Sequence, residues 1–229
     1  LYVGNDFKTP DHLYRNNGDE SFTDVLADVI PHTPWFSMGA DAADLNEDGI
    51  LDFLIADMSS TTHYKQKTTM GEMGNSAWFL TMGNPRQFMR NACYLSTGTE
   101  RYMEVANLTG LDSSDWTWAV KFNDYDNDGL IDGFITNGYG RNTNDSDFKR
   151  ECTRLKKAEQ VEEATRLFRE LPALKEKNVA FRNLGNLEFQ SVAAQWGLDH
   201  NGVSTGSSTM DIDKDGDLDR IVSHLNEPL

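Results

Sequence analysis

The chain has 229 residues, 38% hydrophobic and 25% charged, enough for one large domain or two small ones with a real core and too apolar for a disordered chain. Its 37 acidic residues against 21 basic ones leave a net charge of −16, which repels phosphate backbones and anionic headgroups and makes nucleic acid and membrane surfaces poor partners. No run approaches the roughly 18 apolar residues of a membrane span, and no charged-then-apolar segment opens the chain as a signal peptide would.

Three segments align without gaps: Tyr14 to Asp57, Tyr94 to Asn137 and Phe181 to His224. Before the first copy, Leu1 to Asn5 matches the end of that copy, Phe53 to Asp57, so the chain is read as starting mid-repeat. Each copy then opens on an aromatic, turns at Gly18, Gly98 or Gly185, and returns through Phe22, Tyr102 or Phe189 to Val25, Val105 or Val192. This pattern predicts a β-hairpin, because Asn and Gly tolerate the positive φ of such turns. Next comes a period-two run, Phe36, Met38, Ala40, Ala42 in the first copy and Trp116, Trp118, Val120, Phe122 in the second, echoed weakly by Val203, Thr205, Ser207 and Thr209. An acidic loop and a short apolar strand close each copy.

About four strands per copy predict an all-β fold, a β-propeller of four-stranded blades that must stack on neighbours to bury their faces. The expected partition is the end of a preceding blade over 1–13, blades over 14–58, 94–138 and 181–229, and insertions over 59–93 and 139–180. Three blades and a fraction form an arc with open edges, so the chain is read as a fragment. The first insertion shows no clean period and receives no structure. The second contains a predicted amphipathic helix from about Asp147 to Leu171, stopped by Pro172, with Phe148, Cys152, Leu155, Leu167, Phe168 and Leu171 at three- and four-residue spacings; it is expected to fold over a blade edge, with a recognition helix for a partner as the alternative. Cys93 and Cys152 lack metal-ligand spacing; a single bridge and two small thiols are both open.

The acidic loops run from Asp44 to Asp52, Asp124 to Asp132 and Asp211 to Asp219, with glycine always sixth. Calcium prefers six to eight oxygens, and a nine-residue loop with side-chain oxygens at positions 1, 3, 5 and 9 can wrap one ion if the glycine permits a sharp turn. The candidate ligands are Asp44, Asn46, Asp48 and Asp52; Asp124, Asp126, Asp128 and Asp132; Asp211, Asp213, Asp215 and Asp219. Ile50, Leu130 and Asp217 at position 7 are expected to lend backbone carbonyls. An EF-hand is rejected, since position 12 is Ile55, Ile135 or Val222 rather than glutamate. The loops hold 13 carboxylates and one lysine, and self-repulsion would oppose closing them without cations, so three structural Ca²⁺ ions are expected.

Phe36 to Asp41 followed by Asp44 to Gly49 resembles the FG-GAP, or VCBS, repeat of the calcium-binding blades in integrin α-subunits. Leu13 to Gly18 and the terminal Leu225 to Pro228 are similar to bacterial secreted proteins related to cartilage acidic protein, of the ASPIC/UnbV-associated kind. The resemblance implies a seven-bladed ring, calcium in the blade loops and an extracellular, periplasmic or cell-surface location. Asn46, where an acidic ligand is usual, and Val203, where the other copies have an aromatic, depart from it.

The leading expectation is a noncatalytic adhesion or ligand-binding module that presents loops to a protein or glycan, with the remaining blades of the same parent chain or assembly as further partners and no nucleic acid or membrane insertion. A propeller-based lyase or hydrolase is the alternative, and a purely structural segment of a surface assembly is a third. His12, His32, His63, His200 and His224 form no motif; Asp24, Asp28, Asp112 and Asp115 offer an acid/base pair for the enzyme alternative and are more simply a solvated edge. Trp116 and Trp118 are expected in the core between blades, with Trp35 beside Pro34 the more open. Asn107 and Asn144 begin glycosylation sequons of little weight.

Overall fold

The computed structural model describes residues 1–6, 9–68 and 83–225; positions 69–82 of the first insertion and Asn226 to Pro228 of the terminal motif lie outside them. Strands predominate and the class is all-β. A three-stranded sheet joins Tyr2–Val3, His12–Asn16 and Phe22–Asp24. A four-stranded sheet runs in the order Tyr102–Glu104, Ala92–Ser96, Asp52–Ile55, Ala40–Ala43. A third sheet orders Phe189–Ser191, Val179–Asn183, Asp132–Asn137 and Asp115–Asn123, with Met58–Ser59 added at its edge, and Ser204–Met210 pairs with Asp219–His224.

This pairing corrects the expected partition. The repeats are real, but the sheets are offset from them by half a copy. The hairpin at the head of each copy does not pair with the strands that follow it; it completes the sheet begun by the copy before, as Phe53 opposite Tyr94 and Gly133 opposite Phe181 show. Segments 59–93 and 139–180 therefore lie within sheets, between second and third strands, and not between sheets. Hydrogen bonding across a sheet is indifferent to where a sequence alignment begins, and an antiparallel partner can return after a long excursion because closure entropy grows only slowly with loop length.

Between successive sheets lie three apolar layers. Tyr2, Leu13, Leu26, Val29 and Ile30 meet Phe53, Ile55, Ala92 and Tyr94. Leu54, Cys93 and Leu95 meet Val120, Phe122, Ile135 and Phe181. Phe134, Ala180 and Val192 meet Val222. The two middle sheets are thus greasy on both faces, and every sheet depends on a neighbour for burial. Gly39 marks one close approach: a Cβ there would sit 2.6 Å from Trp118 O, so glycine lets the chain entering the strand Ala40–Ala43 come close to the strand Asp115–Asn123.

The second insertion is not one helix but two, Ser146–Lys157 and Val161–Glu170. Asp145 caps the first by accepting the Phe148 N–H at 2.9 Å, and the break falls at Glu159, whose φ is +58°. Folding back lets Leu155 and Ala164 bury while Phe148 approaches Phe168 at a ring distance of 6.5 Å. A non-glycine residue in this conformation is strained, so Glu159→Gly should stabilise the hairpin by about 0.5–1 kcal/mol, read as a small rise in melting temperature by calorimetry; a fall would contradict the strain argument.

Both cysteines are free, with Cys93 buried. Trp116 is core as expected and Trp118 packs against the same cluster, but Trp35 corrects the expectation. It is 4% exposed and packs with Phe36, Met58 and Trp116, because its N–H and that of Phe36 are drawn inward by the buried Asp57 carboxylate.

Candidate metal centre

Each acidic loop joins the first two strands of a sheet or, for the third, the two strands of the final pair. All three share one backbone. Position 4 is left-handed, with φ of 62° at Glu47, 58° at Asn127 and 65° at Lys214, and the glycine at position 6 follows at 83°, 92° and 98°. The double turn folds position 1 over the loop. The Gly49 N–H donates to Asp44 Oδ2 at 2.8 Å, Gly129 to Asp124 Oδ2 at 2.9 Å and Gly216 to Asp211 Oδ2 at 3.2 Å. The position-7 N–H donates to the position-5 carboxylate at 2.8 Å (Ile50 to Asp48), 3.0 Å (Leu130 to Asp128) and 2.9 Å (Asp217 to Asp215).

These bonds draw Asp124, Asp126 and Asp128 together, and likewise Asp211, Asp213 and Asp215, each trio offering oxygens within 4.8 Å of one another. In the first loop Asn46 takes the middle place and donates through Nδ2 to Asp48 Oδ2 at 3.0 Å, so one carboxylate is replaced by an amide that offsets some repulsion. The side chains of Ile50 and Leu130 lie against Gly98 and Gly185 of the hairpin turns, which accounts for apolar residues at position 7.

Position 9 differs from its expected role. Asp52 and Asp132 are fully buried and stand apart from the converging trio, with both oxygens occupied by backbone donors. Asp132 accepts Tyr125 N–H at 2.9 Å and Asn183 N–H at 2.8 Å; Asp52 accepts Leu45 at 3.0 Å and Ser96 at 2.7 Å. Each fastens the loop to the third strand of its own sheet. Asp219 repeats the inner bond, from Ile212 at 2.8 Å.

Burial pushes the Asp132 carboxyl up to about 6, with the Asp126 and Asp128 charges adding to it against the two N–H donors; Asp52 shifts upward for the same reasons. Asp128 shifts down, chiefly through the Leu130 N–H and then Arg182. A divalent ion would reverse the upward shifts by favouring the charged forms.

The residues fit calcium on two counts. The donors are hard oxygens only, and Asp126 Oδ1 is buried without a hydrogen-bond partner among the described residues, as an oxygen turned toward a cation would be.

Two features escaped the reading of the sequence. Arg182, from the strand Val179–Asn183, contacts Asp126 and Asp128. A second repeated device lies at the far end of the strands, where Asn5, Asp57 and Asn137 donate their N–H to side-chain oxygens of Asp11, Asn91 and Asn178 at 2.7, 2.8 and 3.0 Å. Extending the alignment three residues before each opening aromatic would have exposed this Asx position.

The remaining candidates go to separate places. Asp24 pairs with His12 at 2.6 Å; Asp115 pairs with Lys65 at 2.6 Å, and Lys65 also reaches Glu176, tying both insertions to the sheet edge. His32 lies beside Arg90 and Glu104, and the His200 and His224 rings are 4.3 Å apart.

Residues 1–55 match the sequence profile of the FG-GAP-like repeat, a span that includes the first acidic loop. The match is to the repeat alone and shows no specific similarity to integrin α-subunits or to cartilage acidic protein. No curated protein matches the chain.

Proposed function

From a chain with an FG-GAP-like repeat in residues 1–55, we propose an extracellular β-propeller segment whose corners are stapled by calcium and which serves as a noncatalytic adhesion or ligand-binding module. The stacked sheets, each dependent on its neighbours, support the propeller reading. The single observation that carries calcium is the threefold recurrence of one loop backbone at a strand-loop-strand corner, in two copies of which three carboxylates converge. Ions there are structural: each would be held by Asp44, Asn46 and Asp48; Asp124, Asp126 and Asp128; or Asp211, Asp213 and Asp215, with the backbone carbonyls of Ile50, Leu130 and Asp217 as further oxygens. Position 9 holds the corner to the sheet. The ligand is a protein or glycan met through the loops and insertions, and the location follows from extracellular calcium levels, which suit dissociation constants of ~10⁻⁴ to 10⁻³ M.

The test is thermal unfolding in EGTA and in calcium. At 10 to 100 times the dissociation constant, each site adds about 1.4–2.7 kcal/mol, which for a chain of this size is roughly 3–10 °C per site. Asp48→Ala, Asp128→Ala and Asp215→Ala should each remove one increment. Melting that ignores calcium in wild type and all three variants would sink the reading.

A further inference from the structure

The three loops share a backbone but not a charge environment. In the second, Arg182 places Nε 2.7 Å from Asp126 Oδ2 and Nη2 2.8 Å from Asp128 Oδ2. Nη2 donates a hydrogen bond to Asp128, whereas Nε meets Asp126 at ion-pair distance without hydrogen-bond geometry; of the other oxygens, Asp128 Oδ1 takes the Leu130 N–H and Asp126 Oδ1 is unpartnered. In the preceding sheet the corresponding strand position is Leu95, which is buried in the apolar layer. Among the described residues, Asp44, Asp48, Asp211, Asp213 and Asp215 form no ion pair.

We propose that Arg182 is a resident counter-cation that keeps the second corner closed when metal is absent, so that this corner depends on calcium least and the first and third carry the calcium requirement. This rests on the calcium reading above for its metal-bound arm; the metal-free arm stands on the ion pairs themselves. A single exposed ion pair contributes little, but a planar guanidinium spanning two carboxylates that repel each other both offsets the repulsion and sets their orientation. Because it grips the Oδ2 atoms, it leaves Asp126 Oδ1 for an ion and orients the ligands in the manner of an outer-sphere partner.

The experiment is hydrogen exchange of peptides covering 44–52, 124–132 and 211–219 in the intact chain, in EGTA and in millimolar calcium, with the strand Asp132–Asn137 as control for global unfolding. In EGTA the second loop should exchange about tenfold more slowly than the other two, and Arg182→Leu should erase that difference until calcium is added. Arg182→Lys, which keeps charge but loses the fork, should fall between, and it decides the matter if Arg182→Leu fails to fold. Equal exchange of the three loops in wild type in EGTA overturns the proposal, as does a second loop unmoved by the substitution. Absence of calcium protection at every loop would defeat the calcium reading instead, and the EGTA comparison would still decide the role of Arg182.

Discussion

Asp132→Ala should lower the melting temperature by roughly 10 °C in EGTA, well beyond the effect of Asp128→Ala under the same conditions. Removing the buried carboxylate strands two backbone donors, Tyr125 N–H and Asn183 N–H. Each orphaned buried donor costs about 1–3 kcal/mol, and a kilocalorie moves the midpoint of a chain this size by about 2–4 °C. Asp128, by contrast, is largely exposed, and its loss in EGTA removes mainly the Leu130 turn bond and one arm of Arg182. Asp52→Ala should behave like Asp132→Ala, because it strands Leu45 and Ser96. Circular-dichroism melts of the three variants settle the point: if Asp132→Ala proves as mild as Asp128→Ala, position 9 is not the clasp between loop and third strand.

The second large effect lies at the opposite end of the strands. Asp57 is fully buried and accepts N–H bonds from Trp35 at 2.7 Å, Phe36 at 3.1 Å and Met58 at 2.5 Å. Asp57→Ala should cost about 3–6 kcal/mol, since three donors lose their acceptor and Trp35 loses the group that draws it into the core. The same carboxyl makes stability depend on pH. Burial outweighs the three donors and pushes it up to about 8, far above its ordinary 3.8. The folded state then retains a proton that the unfolded chain has released. Stability is therefore fullest below about pH 4 for this group and is lost as pH rises through the window up to about 8, by at most about 1.4 kcal/mol per pH unit. Asp57→Asn cannot titrate and should flatten the slope of chemical-denaturation stability between pH 5 and 8. An unchanged slope in that variant would show that the proton belongs elsewhere. Asp57 lies outside the acidic loops, so the measurement can be made in EGTA without disturbing the metal question.

The acidic loops were readable because their chemistry is local. Carboxylates at alternate positions and a glycine at position 6 mark the turn whatever surrounds it, and three copies at one register made chance untenable. The helical insertion was half legible. The apolar face named from the sequence has no member between Leu155 and Leu167, and the break at Glu159 sits in that gap, but no glycine or proline announced it.

Composition, the repeat, the strands and the glycine-turned acidic corners are thus written in the order of residues, because each depends on neighbours within a few positions. Tertiary structure alone decided which hairpin completes which sheet, that Asp52 and Asp132 clasp a distant strand, that Trp35 turns inward and that Arg182 meets carboxylates 54 residues or more away. Those outcomes follow from stacking: a sheet with two apolar faces settles where both are covered, and only then do its edge donors and charged side chains find which partners lie in reach.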